Sequence, residues 1–308
     1  MLSSLTVRAW PRRVDPAGPI PHPFHRSFMA LELGGAEAPS ILYGPRLRFG
    51  RYESTAKLLV WSGRRAACLD ARRGGVVTTL MNLDEVSVVE WGQALLEAWL
   101  RIAAHGPTGH AVLRAEFNTV GRDLYLPLLL AARAALYAGA PAAADRRERL
   151  DPLLSVDYRF VGFGRQALLP GAELRRSLFQ PRVTEPFLRL FDQTRVRATL
   201  FLATQAELIV VQEGEGRGPG RYGVTWTYLP LARIAQVVLS PDPARRVLLM
   251  RAMLPGEAEV RWELDTASED AARAFLQATD PRFGARAAPP EPPEPPPGPP
   301  REPMHTTA

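Results

Sequence analysis

An internal repeat constrains the fold of this chain more than any other feature of its sequence. Residues 79–89 align with 227–237 at an offset of 148, and residues 117–123 align with 264–270 at an offset of 147. The spacing between the two blocks is therefore kept to within one residue. Solenoid repeats have periods of roughly 20–50 residues, so this much longer period indicates two copies of one small domain.

Composition agrees with two folded domains and does not select a nucleic-acid partner. The chain has 308 residues, 46% of them hydrophobic, and a formal net charge of +6. Lys57 is the only lysine, so nearly all positive charge comes from arginine, and acidic residues are interleaved with the arginines along the chain. A polyanion site requires positive charge gathered on one face, which this linear pattern does not indicate.

The sequence predicts a cytoplasmic protein without a transmembrane segment. Cys68 is the only cysteine, so no intramolecular disulfide can form. The N-terminal residues contain no continuous apolar core of a signal peptide. Residues 124–144 are nearly all apolar, but Arg133 lies at the centre of this run. An arginine at the centre of a bilayer costs about 2.5–3.5 kcal/mol, so we do not expect this run to cross a membrane.

Proline distribution and the repeat divide the chain into five parts. We expect an irregular proline-rich arm (1–45), a first domain (46–138), a linker (139–154), a second domain (155–283) and a disordered proline-rich tail (284–308). The second domain is expected to fold alone as residues 150–283. If that fragment is molten instead, the two domains share a core through the last helix of the first domain.

Hairpins and capped helices are the clearest local predictions. Two hairpins are expected at 58–69 and 199–211, and a short alternating strand at 156–160. Asn118 or Thr119 is expected to cap a helix that closes the first domain and runs from Leu124 to Tyr137, and Asp265-Thr266 repeat this cap before a helix over 267–278. Because this helix is apolar nearly all round, we expect it to pack at the junction of the two domains or, alternatively, in a homodimer interface.

The second copy resembles the bacterial pleckstrin-homology-like (PH-like) domains. The resemblance rests on the hairpin strand Thr-Leu-Phe-Leu-Ala-Thr (199–204) and on Tyr-Leu-Pro-Leu-Ala-Arg-Ile-Ala-Gln-Val (228–237). The first copy departs from this pattern at Asn82, where the family has proline. The resemblance implies an α+β, mainly β fold of two tandem PH-like domains. Each would be a bent antiparallel sheet or barrel closed by a C-terminal helix.

The same resemblance implies a function in binding. PH-like domains bind lipids, peptides or proteins, so we expect a non-catalytic binding or scaffolding protein whose partner is another protein. Relatives in eukaryotes hold phosphoinositide phosphates with a basic loop. The first copy offers Arg64, Arg65, Arg72 and Arg73 on two turns. These four arginines are the candidate ligand-binding residues for the alternative function, binding of a polyanion such as an anionic lipid or single-stranded nucleic acid.

No motif in the sequence predicts an enzyme, a cofactor or a metal site. Ser54 and Lys57 have Ser-x-x-Lys spacing, but an apolar strand follows where that motif requires a helix. The glycine-rich run 214–220 lacks the Gly-Lys-Ser/Thr ending of a phosphate loop and joins two strands. The histidines at 22, 25, 105 and 110 lack the helical spacing of metal ligands, so we interpret them as surface residues.

Overall fold

The computed structural model shows a mainly β protein built from antiparallel sheets. It describes residues 10–34, 38–49, 52–107, 109–134, 150–187, 191–214 and 223–283. The first half of the structure is residues 10–134 and the second half is residues 150–283. The predicted tail 284–308, the predicted helix end at Tyr137 and most of the predicted linker lie outside the described residues.

The first half contains ten strands and two helices within its described residues. Its strands are β1 (Arg12–Val14), β2 (Ser40–Gly44), β3 (Leu47–Phe49), β4 (Tyr52–Ser54), β5 (Lys57–Ser62), β6 (Arg65–Arg72), β7 (Gly75–Asn82), β8 (Val86–Ala94), β9 (Glu97–Gly106) and β10 (Gly109–Asn118). Its helices are α1 (His25–Met29) and α2 (Arg122–Ala134). Five of the strands form one sheet in the order β1-β2-β5-β6-β7.

The second half contains nine strands and two helices within its described residues. Helix α3 (Tyr158–Ala167) comes first, and α4 (Glu269–Thr279) comes last. The strands are β11 (Leu174–Gln180), β12 (Val183–Phe187), β13 (Phe191–Val196), β14 (Thr199–Thr204), β15 (Glu207–Glu213), β16 (Val224–Pro230), β17 (Gln236–Asp242), β18 (Val247–Met253) and β19 (Glu259–Asp265). The last three pair in the order β17-β18-β19.

The order of elements recurs in the two halves. In each, a sheet of consecutive antiparallel hairpins ends at a 3-10 turn, a three-stranded meander follows, and a second 3-10 turn leads into a closing helix. The second turn is capped alike in both: Asn118 accepts a hydrogen bond from the Val120 amide at 2.9 Å, and Asp265 accepts one from the Ala267 amide at 2.9 Å. The predicted caps are therefore confirmed.

One sheet continues from the first half into the second. Strand β8 pairs antiparallel with β16, which gives a seven-stranded sheet in the order β10-β9-β8-β16-β15-β14-β11. We call this β8–β16 pairing the joint. At its centre Trp91 lies opposite Trp226. The described strands form open sheets in both halves, so the closed barrel that the resemblance allowed is not formed by them.

The largest hydrophobic core belongs to both halves. It contains Trp91 and Leu128 from the first half together with Leu200, Ile209 and Trp226 from the second. Helix α2 contributes Leu128, Leu129 and Ala132 to this core, and its Arg133 reaches Glu207 on β15 of the second half. Of the two positions predicted for this apolar helix, the structure shows the junction of the halves. Pro127 lies inside this helix, where it removes the backbone hydrogen bond that residue 127 would donate to the Asp123 carbonyl.

Two predictions of local structure are wrong. The expected strand at 156–160 is the start of α3, because the side chain of Asp157 accepts the Arg159 amide and caps a helix there. The arm predicted as irregular contains β1, α1 and β2, and β2 is a central strand of the first sheet, between β1 and β5. Strand β2 is too short for its alternation to be recognised among the flanking prolines.

Candidate functional site

The joint and the helices beside it enclose a small cavity. Strands β8 and β16 form its floor, α2 forms one wall, and the segment from Gln166 to Pro170 forms another. Its volume is about 140 Å³. The aromatic floor follows from the pairing register, because Trp91 and Trp226 lie directly opposite each other and so point to the same face of the sheet.

A buried ion pair closes one side of the cavity. The side chains of Arg133 on α2 and Glu207 on β15 are 2% and 0% exposed. The Arg133 Nη2 donates to Glu207 Oε2 at 2.7 Å and to the Ala167 carbonyl at 2.9 Å. The Arg133 guanidinium carbon lies 3.7 Å from the centre of the Tyr228 ring. The charge of Arg133 is therefore neutralised within the protein, and the pair joins the two halves.

A second arginine faces the cavity without a carboxylate partner among the described residues. Arg122, at the start of α2, donates from Nη1 to Gln93 Oε1 at 3.3 Å. Its guanidinium carbon lies 5.8 Å and 6.0 Å from the ring centres of Trp91 and Trp226. Cation–π attraction of this kind holds the guanidinium over the aromatic floor. The cavity therefore carries one positive charge that the described residues do not neutralise.

Two buried hydrogen-bond donors at the cavity have no acceptor within the described part of the chain. They are Nε1 of Trp91 and Nε of Arg122. By contrast, Nε1 of Trp226 donates to the Phe163 carbonyl at 3.2 Å. A buried donor without an acceptor costs about 1–3 kcal/mol, so such groups indicate a bound acceptor.

Tyr228, which lines the cavity, keeps its proton near neutral pH. Burial raises the pKa of Tyr228 to about 12, although the nearby charge of Arg133 opposes this shift. Guanidinium groups stay protonated in proteins. The site therefore offers donors, one net positive charge and an apolar wall formed by Leu126, Leu129 and Leu130. This arrangement suits binding of an acceptor group.

The four arginines predicted from the sequence do not form one site. Arg64 and Arg65 lie at one end of β6, and Arg72 and Arg73 lie at the other. Strand β6 has eight residues, so the two turns are separated by about 23 Å at a rise of 3.3 Å per residue. Arg64 pairs with Asp84 at 2.7 Å, Arg65 donates to the Glu32 carbonyl at 2.9 Å, and Arg72 pairs with Asp70 at 2.9 Å.

The other candidate motifs are also placed apart from the cavity. Ser54 ends β4 and Lys57 begins β5, where Lys57 Nζ lies 2.9 Å from Glu116 Oε2. The rings of His105 and His110 have centres 6.5 Å apart. Of the glycine-rich run, residues 215–220 lie outside the described residues. Among the described residues, no group of three histidine, cysteine or acidic side chains is arranged to hold a metal ion.

Arg133 is the one signal in the sequence that points to this cavity as well as against a membrane span. Arg133 is a charged residue in the middle of an apolar helix. A buried charge must be paired, so such a residue also predicts a carboxylate on a neighbouring element. The sequence does not identify which carboxylate, because Glu207 is 74 residues away.

Cys68 is expected to be inert while the protein is folded. It is 4% exposed, and burial raises the pKa of its thiol to about 12 from an ordinary value of 9.0. The unfolded thiol ionises near pH 9 while the folded thiol keeps its proton, so stability should fall as the pH rises from about 9 towards 12. Thiol-reagent kinetics at pH 8 should show labelling only in urea, and Cys68→Ala should lessen the alkaline loss of stability. Rapid labelling of the folded protein would contradict this.

No protein-family model matches the chain, and no significant match is found among curated proteins. In the described part of the chain, no helix is both long enough and apolar enough to cross a membrane.

Proposed function

We propose that this protein is a non-catalytic binding protein built from two tandem PH-like units. The proposal is supported by the recurrence of sheet, meander, capped turn and closing helix in both halves. That order agrees with the PH-like resemblance of residues 199–204 and 228–237. The two units differ from independent modules in sharing one sheet, so ligand binding at the joint would involve both.

The binding site is the cavity at the joint, and its ligand is a small carboxylate. One observation carries this step: two buried donors, Nε1 of Trp91 and Nε of Arg122, lack acceptors in the described structure. A carboxylate supplies two acceptor oxygens and the negative charge that balances Arg122. Bonds between charged groups of this kind are about twice as strong as neutral ones.

The size of the cavity limits the ligand. A volume of about 140 Å³ equals the space of about four or five waters in the liquid. A carboxylate with a short apolar chain fills that space, with its oxygens towards Arg122 and Trp91 and its chain towards the leucines of α2. General acid–base catalysis requires a group that titrates near the working pH, and Tyr228, with a pKa of about 12, is not such a group.

Straight-chain carboxylates from acetate to hexanoate are the probe for this site. Binding is measured by calorimetry and by tryptophan fluorescence, since two tryptophans form the floor. Arg122→Gln should weaken binding by about tenfold or more, and Trp91→Phe by about fivefold, because each removes a donor. The matched control, Arg114→Gln, removes an exposed arginine that pairs with Glu116 and should leave affinity unchanged.

The outcomes of this experiment are distinct. Hexanol has the same chain without the charge, and it should not bind detectably. If hexanol binds as well as hexanoate, the cavity is an apolar pocket and the carboxylate assignment is wrong. If no carboxylate binds to the folded wild-type protein, the site assignment fails as well.

A further inference from the structure

The joint is formed by the edges of two strands, one from each half. In the described structure, the strand that corresponds to each of them in the other half has an outer edge without a partner strand. Within the joint, β8 belongs to the first half and β16 to the second. The repeat offset of 148 relates β8 to β17 and β16 to β7. Strand β17 is the outer strand of its three-stranded sheet, and β7 is the outer strand of its five-stranded sheet. The joint is therefore heterologous, and its two complementary edges occur again at opposite ends of the molecule.

Strand β7 has the surface of an edge that is covered in an assembly. Val77 and Leu80 are 43% and 46% exposed, whereas Tyr228, which corresponds to Leu80 in the repeat, is 3% exposed. The strand has eight residues and contains neither proline nor a charged side chain. Exposed edges of soluble proteins normally carry such residues to prevent pairing with another strand. The absence of this protection in β7 indicates that a strand pairs there.

Strand β17 offers the complementary edge. Its residues are more exposed than those of β8, the corresponding strand within the joint. Pro241 removes one amide donor, but it lies near the end of the strand, so the rest of the ladder is unaffected. Arg251 on β18 lies opposite Val238 of β17. Its Nε is buried and lacks an acceptor among the described residues.

The two unpaired edges carry residues of opposite charge at the positions that correspond to the Arg133–Glu207 ion pair of the joint. The residue equivalent to Arg133 is acidic, and the residue equivalent to Glu207 is basic. Arg133 on α2 corresponds to Asp280 at the end of α4, by the offset of 147 that also relates the preceding caps. Glu207 begins β15 opposite the last residue of β16, as Arg65 begins β6 opposite the last residue of β7. The ion pair Arg133–Glu207 of the joint therefore corresponds to Asp280 and Arg65 at the two unpaired edges. In the single chain Asp280 pairs with Arg282, and Arg65 donates to a backbone carbonyl.

We propose that the joint is repeated between molecules, so that β17 of one copy pairs antiparallel with β7 of a second copy and Asp280 of the first faces Arg65 of the second. Because the contact is heterologous, it produces a head-to-tail chain of copies or a closed ring. The expected register follows from the joint and pairs Val237 with Leu80, Val238 with Thr79, Leu239 with Thr78, Ser240 with Val77 and Pro241 with Val76.

Sedimentation velocity of the full chain over a wide concentration range tests the assembly. The expected masses are multiples of 33.9 kDa that grow with concentration. Arg65→Glu and Asp280→Arg should each weaken association by about tenfold or more, because each places like charges opposite one another. The double variant should restore it. Leu80→Lys, which changes an exposed side chain on β7, should abolish assembly without unfolding the protein, as checked by circular dichroism.

A disulfide test fixes the register. Thr79→Cys and Val238→Cys proteins are mixed under mild oxidation, and a disulfide-linked dimer should form only in the mixture. Cys68 is buried and does not interfere.

A wild-type protein that stays monomeric at all concentrations would overturn the proposal. So would oligomers that keep their mass in Leu80→Lys, or equal crosslinking of each single variant with itself. The proposal does not depend on carboxylate binding, which the same variants leave intact.

Discussion

Replacement of Arg133 by methionine is expected to lower the free energy of unfolding by about 3–5 kcal/mol, because it removes the buried positive charge that pairs with the buried carboxylate of Glu207. Both side chains of the pair are almost completely buried, and the Ala167 carbonyl would also lose its donor. The pair connects α2 of the first half with β15 of the second, so its loss should weaken the junction in particular. Urea denaturation followed by tryptophan fluorescence measures the effect.

A double variant separates the charge from the packing. Arg133→Met combined with Glu207→Leu removes both charges, and we expect it to recover more than half of the lost stability, since an apolar pair of similar volume often replaces a buried ion pair without penalty. The control is Arg273→Met, which breaks an exposed pair with Glu269 and should cost about 0.3–0.5 kcal/mol. Equal losses for Arg133→Met and Arg273→Met would show that the buried pair does not stabilise the junction.

The second half, produced alone as residues 150–283, is expected not to form a stable native structure. In the intact chain its strand β16 is paired with β8 and its Trp226 and Tyr228 are buried in the shared core. Separation exposes this strand edge to water, uncovers the parts of Trp226 and Tyr228 that pack against the first half, and removes Arg133 from Glu207. Burial of one large side chain is worth about 1.5–3 kcal/mol, so the loss of several approaches the whole stability of a typical domain.

Calorimetry distinguishes the outcomes for this fragment. We expect residues 150–283 alone to show no cooperative heat transition, and expect a transition to return when a separate fragment of residues 1–149 is added. The intact chain is the control and should unfold with a sharp transition. A sharp transition in the isolated fragment would contradict the shared core and would support the independent second domain that the sequence predicted.

Local features were predicted well where a few adjacent residues determine the structure. The hairpins at 58–69 and 199–211 and the caps at Asn118 and Asp265 are present, since turn residues and side-chain caps act over two to five residues. The strand predicted at 156–160 was wrong because that prediction depended on a very short alternating pattern. Five alternating residues do not separate a strand from a helix, and the cap at Asp157 decides for the helix.

The proposed binding site was not predictable from neighbouring residues. The arginines at 64, 65, 72 and 73 are close in sequence but lie at the two ends of β6, because an antiparallel strand carries successive turns to opposite ends. Arg122 and Trp91 come from the first half and Trp226 from the second. Only the pairing of β8 with β16 brings them together.

The sequence by itself determined the hairpins at 58–69 and 199–211 and the caps at Asn118 and Asp265, because turn residues and side-chain caps act locally. Tertiary structure alone decided how the two halves meet. The β8–β16 pairing depends on which sheet edges face each other, and Arg133 depends on a carboxylate 74 residues away. Such long-range choices are made by burial and charge pairing in the folded chain, where many segments are brought to the same place at once.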